Sequence, residues 1–296
     1  MGAVKGWFFR EGLLALIVMA GAAQASTADA ADMSADVNDS AMMRCSGYPD
    51  GLTGDNGWRT LQPSCSPDGG PPAEFTVVDA FGRKGVQRVF LPDGTALCGQ
   101  INRRAVSGQR IEVAHMKGRK GEAIGDFTLG DEIYMAFSLF LPDTDHERYV
   151  QSKKRSTFLQ LHPQGRGVSP GWSFRETRGQ FAMASAKEGN SQYRHVLDDP
   201  GLKYNVWIDF VIRTTFGIGT GEYTVWRRDE HEAEFTKVLD ISGITNLRTP
   251  GRNYMKSGLY RDKETRGTST HYMATPSVAL TFEAAVAGLM NGCPKR

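Results

Sequence analysis

The chain is short of most features that would classify it quickly. Its 296 residues include four cysteines, and none of their spacings is Cys-x₂₋₄-Cys, which sets aside the usual structural zinc site. Charge is almost balanced, with 35 Lys+Arg against 33 Asp+Glu, and no nucleic-acid-binding motif is present, so no nucleic-acid partner is expected. No loop has the acidic spacing of an EF-hand, so the sequence gives calcium no direct support. One apolar run stands out, Leu13 to Ala20, and it is too short for a spanning helix, which needs about 20 residues. No segment holds a 3.6-residue apolar period over three turns, and no internal repeat is found. The helical stretches that a βαβ fold requires between its strands are missing.

What is present begins with a leader. Lys5 and Arg10 precede the apolar run, and Ala23-Gln24-Ala25 offers a small-x-small cleavage pattern, so residues 1–25 read as a secretory signal peptide. The mature protein is therefore expected to be secreted or periplasmic, with no membrane partner. Residues 26–43, rich in Ala, Ser, Asp and Met, read as a disordered lead-in. Residues 44–296 are expected to form one domain. In an oxidising compartment the even cysteine count suggests two disulfides. Of the three possible pairings, Cys45–Cys65 and Cys98–Cys293 are favoured, the first closing a local loop and the second tying distant ends.

From Ala73 onward, short apolar or alternating runs are punctuated by Gly, Pro, Asp and Asn. They are Phe75–Val78, Ile133–Leu141, Thr157–Leu161, Val206–Ile212, Tyr223–Trp226 and Val278–Phe282. Enrichment in aromatic and β-branched residues makes them strands, and the expected fold is all-β, a sandwich or jelly roll.

Asn253 to Arg261 carries the first functional signal. As a strand it sets Tyr254, Lys256, Gly258 and Tyr260 on one face and Met255 and Leu259 on the other. Two phenols, an ammonium and a glycine suit a groove better than a core. Gln160 and His162 share a face of a second strand, and Arg110 and Glu112 of a third. Basic residues also cluster: Arg103, Arg104, Arg110, Lys117, Arg119 and Lys120 stand against Glu112 alone, and Lys153-Lys154-Arg155 follows, a distribution that attracts polyanions.

In that order, Arg-x-Glu, Gln-x-His and Tyr-x-Lys-x-Gly-x-Tyr resemble the β-jelly-roll polysaccharide lyases, of the heparin lyase I and glucuronan lyase type, with the jelly-roll alginate lyases more distant. The resemblance runs from about Arg110 to Phe282 and departs at Leu161, where relatives often carry an aromatic residue. It implies a concanavalin-like jelly roll with a single catalytic domain, acting, as an expected monomer, on an anionic polysaccharide. No cofactor is implied for the chemistry, and structural calcium occurs in some relatives.

A polyuronate is cleaved by removing the C5 proton and breaking the C4–O4 bond. That requires neutralising the carboxylate, a base at C5 and an acid at O4. Gln160 and Arg110 suit the carboxylate, arginine through its planar fork. His162 suits neutraliser or base. Tyr260 suits proton transfer, with Lys256 about 13 Å along the strand helping by its field or binding substrate. The resemblance implies Gln160, His162 and Tyr260 as the catalytic set, assisted by Lys256 and Arg110. Glu112 reads as a partner for a basic neighbour, Tyr254 as a stacking or packing ring, and His115 as a second histidine of opposite parity near the site. Two other readings remain. Glu230, Glu232 and Glu234 alternate as a jelly-roll glycosidase's acids would, although the run looks like a hairpin tip. A non-catalytic sugar-binding sandwich would use Trp172, Trp207 or Trp226, with Trp172 the best placed for a sugar-facing loop.

Overall fold

The computed structural model describes residues 58–60, 64–65, 73–93, 95–97, 108–117, 122–123, 127–145, 155–163, 169–188, 191–249, 253–262 and 264–291. The expected leader, the lead-in and Cys45, Cys98 and Cys293 lie outside these residues, as does the side chain of Cys65, so both disulfide pairings do too.

In chain order the first strands are β1 (Trp58–Thr60), β2 (Ser64–Cys65), β3 (Glu74–Ala80), β4 (Arg83–Leu91), β5 (Ala96–Leu97) and β6 (Gln109–Lys117). The middle of the chain supplies β7 (Glu122–Ala123), β8 (Glu132–Phe140), β9 (Arg155–Pro163), β10 (Trp172–Thr177), β11 (Gln180–Ala186) and β12 (Gln192–Val196). Then come β13 (Trp207–Thr215), β14 (Gly221–Asp229), β15 (Thr236–Ile244), β16 (Asn253–Arg261), β17 (Ser269–Ala279) and the α-helix α1 (Phe282–Asn291). The first sheet runs β1-β6-β16-β9-β10-β11-β12, with β7 on β6, and the second β15-β14-β13-β8-β17-β4-β3. Every pairing is antiparallel. The fold is the expected all-β jelly-roll sandwich.

Side chains of alternate parity fill the space between the sheets. Leu159, Leu161, Phe174, Phe181 and Met183 of the first sheet meet Phe137, Leu139, Phe210 and Ile212 of the second in one core. Phe174 is the hinge of the aromatic packing, with ring centroids 4.9 Å from Phe137 and 4.7 Å from Phe210. Such aromatic pairs bind a core beyond their area burial. Two sequence expectations need correction here. Trp172 does not face a sugar: it opens β10, is fully buried, and donates its Nε1–H to Thr214 Oγ1 at 3.0 Å. The run read as a strand over Val278–Phe282 is the end of β17 and the start of α1, whose Ala285 and Leu289 pack on Ala136 and Val211 of the second sheet. Trp207 is fully buried, and Trp226 packs its ring on Phe282 at 5.1 Å, so both belong to packing.

His271 of β17 titrates against the fold. It is fully buried, neither ring nitrogen has a hydrogen-bond partner among the described residues, and its ring lies edge-on to Phe158 at 5.1 Å. Burial lowers its pKa to about 3. Between that value and the unfolded value of about 6.5, the unfolded chain binds the extra proton, so stability is full above 6.5 and is lost as pH falls. Lowering the pH from 7 to 5 should cost about 2 kcal/mol through this residue alone. The measurement is the pH dependence of unfolding for the native protein and His271→Leu, whose difference should shrink by that amount above pH 6.5.

Candidate functional site

The site is built on three neighbouring strands of the first sheet, with β16 between β6 and β9. Register arranges the side chains in rows. Tyr254 stands opposite His162, and Lys256 stands opposite Gln160 on one side and Ala114 on the other. Tyr260 stands between Arg110 and Thr157. Residues of opposite parity, Ile111, Leu161, Met255 and Leu259, belong to the inter-sheet core, so the rows face away from the second sheet. Even so, Gln160, Lys256 and Glu112 are only 4%, 6% and 3% exposed. A face that the second sheet does not cover, yet whose polar groups are this buried, is recessed.

One extra residue in β16 shapes the row that holds Tyr260. Ser257 to Tyr260 on β16 matches Leu159 to Thr157 on β9, while pairing with β6 stays in step. Gly258 lies in this irregularity with φ of +135°, and a Cβ there would sit 2.3 Å from Ile111 O and 2.9 Å from Glu112 Cα. A second glycine makes room for the phenol. A Cβ on Gly108 would fall 2.3 Å from Tyr260 Cε2.

Charge is concentrated in the same place. The Arg110 guanidinium lies 4.1 Å from the centroid of the Tyr260 ring, and Arg155 lies over the same ring at 5.6 Å. Arg110 Nη1 is 3.8 Å from Glu112 Oε2, and Gln160 Nε2 donates to Glu112 Oε1. Glu112 thus does what the sequence suggested, pairing with a basic neighbour, and it also fixes which way the Gln160 amide points. A carboxylate only accepts, so the second amide N–H of Gln160 remains to donate elsewhere. Lys256 Nζ lies 5.5 Å over the Tyr254 ring, and among the described residues the cations over the Tyr260 ring are the two arginines. Arg155 was hidden in a basic run that reads equally well as solvated loop. Only the register of β9 brings it to the phenol.

Three groups have shifted ionisation. Burial, then the nearby Lys256 charge, holds His162 below its usual value, and its Nδ1 lies 2.8 Å from Pro163 O. The carbonyl can only accept, so Nδ1 carries the hydrogen and Nε2 keeps the lone pair in the neutral ring. Burial, then the Glu112 charge, raises Tyr254 to about 12, so it stays protonated at neutral pH. Burial lowers Lys256, with Glu112 opposing and Arg110 adding to the shift. His115 lies in β6 opposite Trp58, at odd separation from Arg110, and its side chain is outside the described residues.

The acids of the glycosidase reading lie elsewhere. Glu230, Glu232 and Glu234 are exposed in the turn between β14 and β15, at the edge of the second sheet. Glu230 Oε2 accepts from Trp207 N at 3.2 Å and Glu232 Oε2 from Asp229 N at 2.9 Å.

The family model for polysaccharide lyases matches residues 46–275. No curated protein matches the chain. Among solved structures, the PL-14 alginate lyase from Aplysia kurodai is similar at 10% identity and a TM-score of 0.44, over 69% of this chain and 86% of that one. A GH131 beta-glucanase catalytic domain from Podospora anserina is similar at 11% identity and a TM-score of 0.46, over 80% and 89%. Alginate lyase AlyC3 is similar at 14% identity and a TM-score of 0.40, over 66% and 74%.

Proposed function

The chain belongs to the polysaccharide lyase family, and we propose that it cleaves a uronic-acid-containing polysaccharide, such as glucuronan or alginate, by β-elimination. The observation that carries this reading is the meeting of Arg110, Gln160, His162, Lys256 and Tyr260 on one recessed face of three adjacent strands.

Each has a role that its surroundings support. Arg110 and the remaining N–H of Gln160 neutralise the carboxylate next to C5, so that negative charge can develop there. Tyr260 moves the protons, taking the C5 proton as phenolate and handing it to O4 as the C4–O4 bond breaks and C4=C5 forms. His162 stands opposite Tyr254, six residues or about 20 Å along β16 from Tyr260, too far to share that transfer, and binds the polymer with its neutral ring. Tyr254, protonated at neutral pH, and Lys256 bind substrate, as does His115. The chemistry assigned to these side chains needs no metal, and calcium would be structural. The leader signature at residues 1–25 supports action outside the cytoplasm.

Product mass tests the reaction type. Elimination yields new ends lighter by one water than hydrolysis would give, and products of hydrolytic mass would overturn the proposal. A pH profile tests His162. Its lowered pKa means the imidazole is neutral at pH 7 and takes up a proton only below about 6.5. The acid limb of kcat/KM should therefore lie below that value and should disappear in His162→Ala, with the residual rate flat across it.

A further inference from the structure

Most buried arginines of this fold are answered by other groups. Arg261, 1% exposed, donates to Gln109 Oε1, Ser269 Oγ and Pro92 O. Arg227, 3% exposed, donates to Asp199 Oδ2, Asp229 Oδ1 and Gly201 O. Arg175 of β10 is different. It is 6% exposed, and among the described residues its Nε and Nη2 have no hydrogen-bond partner and no carboxylate pairs with it. The charges near it are those of other arginines, Arg155 and Arg194, and burial lowers its pKa to about 10, which still leaves it cationic at neutral pH. A buried cation left unpaired costs several kcal/mol, so a fold that keeps one has a use for it or an anion to meet it.

Position says what that use is. Register continues the Tyr260 row across the sheet, from Arg110 through Tyr260 and Thr157 to Arg175 and Ala182. The neighbouring row runs from Lys256 through Gln160, Ser173 and Ala184 to Arg194. Arg175 thus shares the face of the proposed catalytic groups, two strand spacings or about 10 Å from Tyr260. Between the two arginines the floor is Ser173, Ala182 and Ala184, all small and buried. Arg155 reaches across, its guanidinium over the Tyr260 ring on one side and Nη1 donating to Gln192 Oε1 of β12 at 3.1 Å on the other.

We propose that Arg175, flanked by Arg155 and Arg194, forms a second carboxylate-binding subsite in the same groove, holding a uronate residue of the polymer beyond the one that is cleaved. The fork formed by Arg175 Nε and Nη2 supplies two parallel N–H donors to its carboxylate. The proposal rests on the polyuronate reading above.

The test separates the two. Binding of purified oligouronates, a dimer and a hexamer, is measured by calorimetry on a Tyr260→Phe protein with and without Arg175→Gln or Arg175→Lys. Elimination by the native protein is followed in parallel. The subsite predicts that Arg175→Gln weakens hexamer binding about ten- to a hundredfold and dimer binding far less. Arg175→Lys should recover part of the loss, and in the active protein Arg175→Gln should raise KM while kcat changes little. Thermal stability should hold or rise, since an unpaired buried charge is removed. Unchanged hexamer affinity would overturn the subsite, and so would a Tm several degrees lower with no change in binding. Arg175-dependent binding without elimination would keep the subsite and sink the lyase reading, whereas elimination with Arg175-independent binding would do the reverse. A native protein that bound no oligouronate would sink both.

Discussion

Replacing Tyr260 by phenylalanine should lower kcat by on the order of 10²–10⁴-fold, the usual contribution of a positioned proton-transfer group. KM should stay within a few-fold. The reason for the asymmetry lies in what the substitution leaves alone. The ring of residue 260 is held by Arg110 at 4.1 Å and Arg155 at 5.6 Å from its centroid, and both cations can stack on a phenyl ring as well. Gly108 accommodates either ring, since the contact that excludes a Cβ there is with Cε2 and not with the hydroxyl. Only the proton donor and acceptor disappears. Steady-state kinetics on the polymer, with the melting temperature as control, makes the check. A variant that kept more than a tenth of the native kcat would remove Tyr260 from proton transfer.

Gly258→Ala should have the largest effect on the fold. The new methyl would sit 2.3 Å from Ile111 O, an atom held by the β6–β16 pairing, at a φ of +135° that L-residues rarely adopt. Neither problem can be relieved by a rotamer, because both belong to the backbone. Strain of this kind, added to a broken strand pairing, should cost about 3 kcal/mol or more. For a domain of this size that is a fall in Tm of roughly 10 °C. Activity should fall with it even at temperatures where the variant is folded, since Gly258 sits between the rows that place Lys256 and Tyr260. A Tm within about 2 °C of native would mean that β16 can shift away from β6 at little cost.

Much of the fold and the site could be read from the sequence, for a physical reason. A strand's side chains alternate with fixed period, so Tyr254, Lys256 and Tyr260 share a face wherever residues 253–261 form a strand. The same rule paired Gln160 with His162 and Arg110 with Glu112. What the rule cannot supply is register between strands. The in-step pairing with β6 sets Arg110 against Tyr260, and the extra residue of β16 beside β9 sets Thr157, and with it Arg155, on the other side. Arg175 was invisible for the same reason, being one charged residue in a short strand until pairing put it beside Ala182 and in line with Thr157.

Other differences came from local signals that tertiary packing overrode. Ser169-Pro170-Gly171 looked like a loop that would expose Trp172. Instead Gly171 packs so closely that a Cβ would lie 2.6 Å from Asn246 O, and the chain enters β10 already against the core. Helix α1 has ten residues, less than the three turns over which a helical period was sought, and its inward positions include Ala285, a weak apolar signal. Its stability comes from docking on the second sheet, as is usual for short helices.

Ultraviolet absorbance of the protein incubated with glucuronan, alginate and heparin-like chains tests the central claim most directly. Elimination leaves a C4=C5 double bond conjugated to the carboxylate, which absorbs where the intact polymer does not. The account predicts rising absorbance on at least one polyuronate, slowed on the order of 10²-fold or more by Tyr260→Phe in a protein that still binds the polymer, and slowed less by His162→Ala. A flat trace accompanied by new reducing ends would contradict it and point to hydrolysis by Glu230, Glu232 and Glu234, while binding with no cleavage at all would leave a sugar-binding sandwich.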